Sequence, residues 1–290
     1  MIIKGQIIKG IGGFYYVDAA DTLYECKARG LFRNLGITPL VGDECDIEII
    51  DKDAAEAHIV KIHERRTELI RPAVANADQA VVIFAVKNPD FNRGLLDRYL
   101  INLEQQGMDV VILFNKADLD EDYAEEVSSI YSSVGYDTFV ISNKTGMGLD
   151  AVRGRLQGKV SVLSGPSGAG KSSFINNIIP DAEAEVGDIS KKIGRGKNTT
   201  RHSEILRIDE SSAIIDTPGY SSIELLCDNS EDLRYYIREF EPYEGKCRFT
   251  GCVHVAEPDC AVKAAVEDGK ISRIRYDSYV EIYTSCKKGK

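Results

Sequence analysis

No long apolar run occurs in this chain of 290 residues: the longest, Ala80 to Val86, has seven, against roughly 20 for a membrane-spanning helix. No membrane partner is therefore expected. The amino-terminal stretch MIIKGQIIKGIGG has neither a sustained apolar core nor a small-residue cleavage site, so secretion is not expected and the cytoplasm is the predicted compartment. Excess positive charge is also missing. Thirty-six Lys and Arg stand against 46 Asp and Glu, a net charge of −10. That balance argues against a protein that coats nucleic acid without selectivity, and leaves local basic surfaces open. A paired set of cysteines is absent too. There are seven, in a chain too large to need disulfides, and three crowd between Cys247 and Cys260 with a histidine among them, which suggests metal in a reducing compartment. The apolar fraction of 43% and charged fraction of 28% exclude wholesale disorder and a fibrous repeat.

The length predicts two or three domains. Residues 2 to 62 alternate short β-rich segments with glycine turns: IIKGQIIKG, GGFYYV, TLYECKA, ECDIEII and AHIVKI. Five such strands without a long helix predict a small closed barrel over residues 1–66. An oligonucleotide-binding (OB) barrel fits, with Lys27, Arg29, Arg33, Arg65 and Arg66 as candidate phosphate contacts. A generic β-barrel with a solvated surface fits the spacing equally. From residue 67 to 226 the pattern is α/β. AVVIFAV, DVVILF, DTFVIS and GKVSVLS read as buried strands, with helices over GLLDRYLINLEQQG and DEDYAEEVSSIYSSVG and a hairpin over EILRIDESSAIID. This predicts a mostly parallel sheet with helices on both faces. Residues 227–290 form a third unit, irregular around the cysteines and ending in a helix from Ser272 to Ser285. Eight of the ten net negative charges fall in residues 67–230, where DLDEDYAEE reads as a solvated helix start. Lys191, Lys192, Arg195, Lys197, Arg201 and Arg207 form a local basic segment there.

Gly165, Pro166, Ser167, Gly168, Ala169, Gly170, Lys171 and Ser172 match G-x-x-x-x-G-K-[ST] between the strand KVSVLS and the helical SSFINNII. The glycines let backbone N–H groups surround phosphates, the following helix beginning at Ser172 and Ser173 adds its positive dipole end, and Lys171 supplies a point charge. Ser172 is placed to ligate Mg2+. The loop does not identify the base, since guanylate kinases write theirs as SGPSGAGKS too. Asn115, Lys116 and Asp118, in NKAD, follow the strand DVVILF, at the strand end where open α/β sheets bind ligands. Asp118 can accept from the N1–H and amine of guanine, which adenine does not present, while Asn115 meets the purine edge and Lys116 covers the ring. Ser142, Asn143 and Lys144 would add a last base contact. Asp216 in DTPG can hold Mg2+ through water, and the Gly219 N–H can reach the γ-phosphate. A hydroxyl between these boxes must complete the Mg2+ shell. Thr200 is chosen, with Thr199 the alternative. Lys171, Thr200 and Gly219 are thus the candidate catalytic residues.

Asn115 lies 50 residues upstream of Gly165, the reverse of the ordinary GTPase order, so the domain is circularly permuted. Where Ras-like proteins place a water-orienting glutamine after this glycine, the chain has Tyr220, which predicts slow intrinsic turnover. Cys247, Cys252, His254 and Cys260 offer three thiolates and one imidazole, the set for one structural, tetrahedral Zn2+ with no open position.

On RPAVANADQ, NKADL, GPSGAGKSS, GRGKNTTRH, DTPGY, the barrel and the cysteine-histidine cluster, the chain resembles over its whole length the circularly permuted GTPases of small ribosomal subunit biogenesis, the bacterial RsgA (YjeQ, YloQ) family. The resemblance implies an N-terminal OB-fold barrel, a central permuted P-loop domain and a C-terminal zinc-binding helical domain. It implies hydrolysis of GTP to GDP stimulated by the small ribosomal subunit and its rRNA, during late maturation; a monomer is expected. Asn198 departs from the histidine that relatives commonly carry before the Thr pair. A nucleotide-switched RNA-binding module with incidental hydrolysis is the alternative, and a nucleoside monophosphate kinase leaves NKAD and DTPG unexplained.

Overall fold

The computed structural model describes residues 1–30, 32, 36–179, 203–218, 225–226 and 229–288. Arg33, the segment 191–201 with Thr199 and Thr200, and Gly219 and Tyr220 lie outside the described residues.

The first five strands are the five segments anticipated. β1 (Ile2–Ile11), β2 (Phe14–Ala19), β3 (Thr22–Ala28), β4 (Glu44–Asp51) and β5 (Glu56–Ile62) close a barrel: β1 pairs with β2 and β4, β2 with β3, β4 with β5, and β3 runs parallel to β5. Alternation sends Ile7, Val17, Cys26, Cys45, Ile47 and Ile59 inward, all fully buried. Two of the candidate phosphate contacts are engaged within the protein. Arg65 donates to both carboxylate oxygens of the buried Asp43 at 2.7 and 2.8 Å and to the Thr38 carbonyl, and Arg66 pairs with Asp78 at 2.8 Å. Arg65 thus pins the end of the barrel segment to the loop before β4, and Arg66 ties it to the chain that follows. Arg29 is paired with Glu48, and the Lys27 ammonium lies 5.0 Å from the Phe14 ring centre.

A short hairpin, β6 (Glu68–Ile70) and β7 (Ala73–Ala75), comes next, too short for its period to show in the sequence. The chain then lays down β8 (Gln79–Ala85), α1 (Arg93–Gln105), β9 (Val110–Asn115), α2 (Glu121–Ser132), β10 (Asp137–Val140), α3 (Leu149–Leu156), β11 (Val160–Ser164), α4 (Lys171–Ile178), β12 (Glu204–Arg207) and β13 (Ala213–Asp216). In space the order is β10-β9-β8-β11-β13-β12, all parallel except β12. Every residue of β8 and β9 is buried, as two-sided cover requires. Val82, Phe84 and Ile112 pack under α1 and α2, while Val81, Ile83 and Val111 pack under α3 and α4. Asn92 caps α1 by accepting from Leu95 N at 2.9 Å, and Asp120 caps α2 from Tyr123 N at 3.2 Å. The central strand, β11, is reached only after β8, β9 and β10 have filled one side. That is the permutation expressed as topology.

Sheet and barrel are continuous, because β1 also pairs with β12, Lys9 opposite Glu204. The C-terminal unit packs two 3-10 segments (Ser230–Tyr236 and Arg238–Tyr243), α5 (Ala261–Glu267) and α6 (Arg273–Lys288) around Leu233, Phe240, Val262 and Tyr279. It sits on α1, which gives Ile101 to the same core. At this seam Arg275, 2% exposed, pairs with Asp97 of α1 and with Glu239 at 2.8 Å, and Asp97 also accepts from Tyr131 Oη at 3.0 Å. Removing one partner from so buried a group of charges costs about 3–5 kcal/mol, so the seam is specific as well as apolar.

Candidate nucleotide site and metal centre

The phosphate loop hangs between β11 and α4 under tight backbone constraints. Gly165 has φ 144°, and a Cβ there would come within 2.2 Å of the Ile83 carbonyl oxygen. Gly170 has φ 101°, and a Cβ there would lie 2.3 Å from Asn115 Nδ2. Only glycine satisfies both positions. Pro166 is half-buried and Ala169 buried, whereas Ser167, Gly168, Ser172 and Ser173 are exposed, forming the open rim of the loop and the first turn of α4. Lys171 Nζ donates to the carbonyls of Gly165 at 2.8 Å and Pro166 at 3.0 Å. These oxygens occupy the donors that phosphate oxygens would take. Burial lowers the Lys171 pKa, and the charge of Asp216 opposes that shift. Asp216 ends β13 and is 9% exposed. Thr217 donates to the Leu163 carbonyl at 2.7 Å and ties the turn after β13 to β11.

The candidate base-reading residues gather beside it. Asn115, 1% exposed, donates one amide hydrogen to the Ala169 carbonyl at 2.7 Å and accepts from Asn143 N at 3.2 Å. These two bonds leave its second amide hydrogen unused. Asn143 donates to the Gly170 carbonyl at 2.9 Å. Ser142 Oγ donates to Asp118 at 2.6 Å, and Lys144 Nζ stands 3.9 Å from the same carboxylate. Lys116 takes a left-handed φ of 64° and sends Nζ to the Asn88 carbonyl, bridging the loops after β9 and β8. Of the predicted nucleotide residues, all those described lie just beyond the carboxyl ends of β9, β10, β11 and β13. Sequence reasoning missed Asn88, Asn177, whose amide holds the Asn143 carbonyl at 2.9 Å, and Thr217. Only Thr217, inside DTPG, sat in a recognisable motif.

The four metal-ligand candidates also meet, their donor atoms all within 4.8 Å of one another. His254 Nδ1 lies 3.5 Å from Cys247 Sγ, 3.5 Å from Cys252 Sγ and 3.4 Å from Cys260 Sγ, and the Cys247 and Cys260 sulfurs are 3.9 Å apart. A tetrahedral ion about 2.3 Å from sulfur and 2.0 Å from nitrogen sets nitrogen–sulfur edges of about 3.5 Å and sulfur–sulfur edges of about 3.8 Å. The cluster therefore fits a metal ion and identifies Nδ1 as the imidazole donor. Burial lowers the His254 pKa, keeping the ring neutral, and pushes the Cys252 thiol up to about 12, a cost that only a cation at the centre reverses. Supporting groups were not legible in the sequence. Glu244 lies 3.5 Å from His254 Nε2, and Tyr276 and Tyr279 donate to the carbonyls of His254 and Val253 at 2.8 and 2.7 Å. Glu257 accepts from the backbone N–H groups of Val253, Val255 and Ala256 at 3.0, 3.1 and 3.1 Å, shaping the ligand loop.

The geometry matches known proteins along the entire chain. Residues 62–226 match the family model described as RsgA GTPase, and residues 4–57 the RsgA N-terminal domain. A small ribosomal subunit biogenesis GTPase RsgA of Agathobacter rectalis is 48% identical over 98% of both chains, and one of Alkaliphilus metalliredigens is 45% identical over 99% of both. The crystal structure of YloQ, a circularly permuted GTPase, superposes with a TM-score of 0.77 at 37% identity, covering 100% of this chain and 96% of that one. YjeQ from Thermotoga maritima gives 0.80 at 31%, covering 98% of each. With a family model matched over residues 62–226, relatives 45–48% identical along the whole chain and permuted GTPase structures that superpose on it, the chain belongs to the RsgA family of GTPases.

Proposed function

We propose that this protein hydrolyses GTP to GDP in response to the small ribosomal subunit and acts as a late factor in that subunit's maturation, in the cytoplasm and as a monomer. The observation that carries the reading is the convergence of Lys171, Asn115, Asp118 and Asp216 at one end of the permuted sheet. Lys171 neutralises the outer phosphates. Asp118 selects guanine, steadied by Ser142, and Lys116 lines the ring. Asn143 and Lys144 complete the base slot. Ser172, Thr200 and, through water, Asp216 would hold Mg2+, which would supply charge neutralisation to the phosphates. Gly219 gives its N–H to the γ-phosphate. The cysteine-histidine cluster holds one structural Zn2+, and the three units are assigned to residues 1–66, 67–226 and 227–290. The relatives' names, with their shared reference to the small ribosomal subunit, support the choice of partner.

With Tyr220 in place of a water-orienting glutamine, basal turnover is expected to be slow and the partner to accelerate it. Turnover measured alone, with purified small subunits, with large subunits and with free RNA tests this. Acceleration by small subunits alone is expected; equal rates in all four would overturn the reading.

A further inference from the structure

Lys9, Glu204 and Asp216 occupy one cross-strand row: Lys9 of β1 is opposite Glu204 of β12, and Glu204 is opposite Asp216 of β13. Leu163 of β11, one residue before the strand's last, is the next member. The row thus runs from the barrel to the base of the phosphate loop. Side chains directly opposite one another point to the same face of a sheet, with Cβ atoms about 4.5–5.5 Å apart. Here that face is fixed, because Leu206 and Ile214, two residues from Glu204 and Asp216 respectively, both pack in the core under α3 and α4. Two carboxylates side by side would repel. Lys9 Nζ meets Glu204 Oε2 at 3.1 Å, with side-chain exposures of 16% and 29%, so the barrel delivers a partly buried cation to the carboxylate beside Asp216.

We propose that the Lys9–Glu204 pair sets the charge presented to Asp216 and through it the affinity of the nucleotide site for Mg2+, making Lys9 a positioning residue contributed by the barrel. The inference rests on the reading that Asp216 holds Mg2+. Two opposite charges in the row leave Asp216 near a locally neutral neighbour. Removing Glu204's charge leaves Lys9 opposing the dication, and removing Lys9's charge leaves Glu204 assisting it.

The test is the Mg2+ dependence of GDP binding, followed by equilibrium fluorescence on the full chain without turnover. Glu204→Gln should raise the Mg2+ concentration for half-maximal tight binding about threefold, and Lys9→Met should lower it about threefold. These are the sizes that a unit charge exerts on a dication roughly 8 Å away through a water-like dielectric with salt screening. The double variant should return to the unmodified value. A merely structural pair would weaken Mg2+ binding in both single variants, and shifts of the same sign, or none, overturn the proposal. Asp216→Asn separates the two readings. If it leaves the Mg2+ dependence unchanged, the assignment of Asp216 fails; if it weakens binding while the Lys9 and Glu204 variants do nothing, only this inference fails. Thermal unfolding of each variant verifies folding, and Lys9→Gln is the substitute should Lys9→Met not fold.

Discussion

The carboxylate of Asp118 accepts a hydrogen bond from Ser142 at 2.6 Å, so the residue proposed to read guanine is already oriented by its neighbour. Charge-assisted bonds to a guanine edge in such a site are worth roughly 3 kcal/mol together, about 100-fold in affinity. Asp118→Ala should therefore weaken GTP and GDP binding by that factor while leaving the weak binding of ATP unchanged, as competition against a fluorescent guanine nucleotide would measure. This residue was legible in the sequence because its chemistry demands a fixed neighbour, Asn115-Lys116, at a strand end. Arg65 was legible as a charge but not as a role. Its partner Asp43 lies 22 positions away in sequence, and no spacing rule links a guanidinium to a carboxylate across a barrel loop. Glu257 is the converse: an unremarked acid in the sequence that gathers three backbone donors in the fold.

Among the elements, those with buried faces on both sides or strong caps could be read directly. β8 and β9 are apolar throughout, and α2 announces itself with Asp120 followed by Glu121 and Asp122. α3 could not, since it has eight residues and begins at Gly148 without a side-chain cap. α5, seven residues beginning just after Cys260, was hidden by the metal cluster, because the ligand residues break the helical period they flank. The C-terminal core and this cluster form one unit, with Cys252, Cys260 and Phe240 in the same packed group. Extracting the metal with a strong chelator should accordingly unfold that unit first. A loss on the order of 3 kcal/mol would lower the unfolding midpoint by roughly 10 °C. The thiols of Cys247, Cys252 and Cys260 should become reactive together. Calorimetry and thiol titration before and after chelation measure both, and an unchanged midpoint with no newly reactive thiols would remove the metal from the account of stability.

The molecule as a whole places its acidic excess in the nucleotide domain and leaves near-neutral modules on either side, so its net charge of −10 averages unlike parts. A structured RNA surface would be gripped by those modules through shape and placed cations. Both are joined to the centre, the barrel through Arg66 and the β1–β12 row, and the C-terminal unit through Arg275, which pairs with Asp97, and Arg238, which pairs with Glu104 at 2.6 Å. Rearrangement around the γ-phosphate would then alter the grip of both. Affinity for small subunits should differ at least several-fold between GDP and a non-hydrolysable GTP analogue, and equal affinities in a sedimentation assay would exclude a nucleotide-dependent grip. The permuted strand order has a further consequence, in the order of synthesis. The half that carries the proposed base-reading residues, β8 to β10, leaves the ribosome before β11 and the phosphate loop exist. The 50 residues from Asn115 to Gly165 take about 3–10 seconds to make. Through that interval the first half must persist with the open edge of β8 unpaired and without help from bound nucleotide. A protein whose relatives are named for ribosome biogenesis thus completes its proposed nucleotide site only once Asp216, nearly three-quarters of the way along its chain, has been translated.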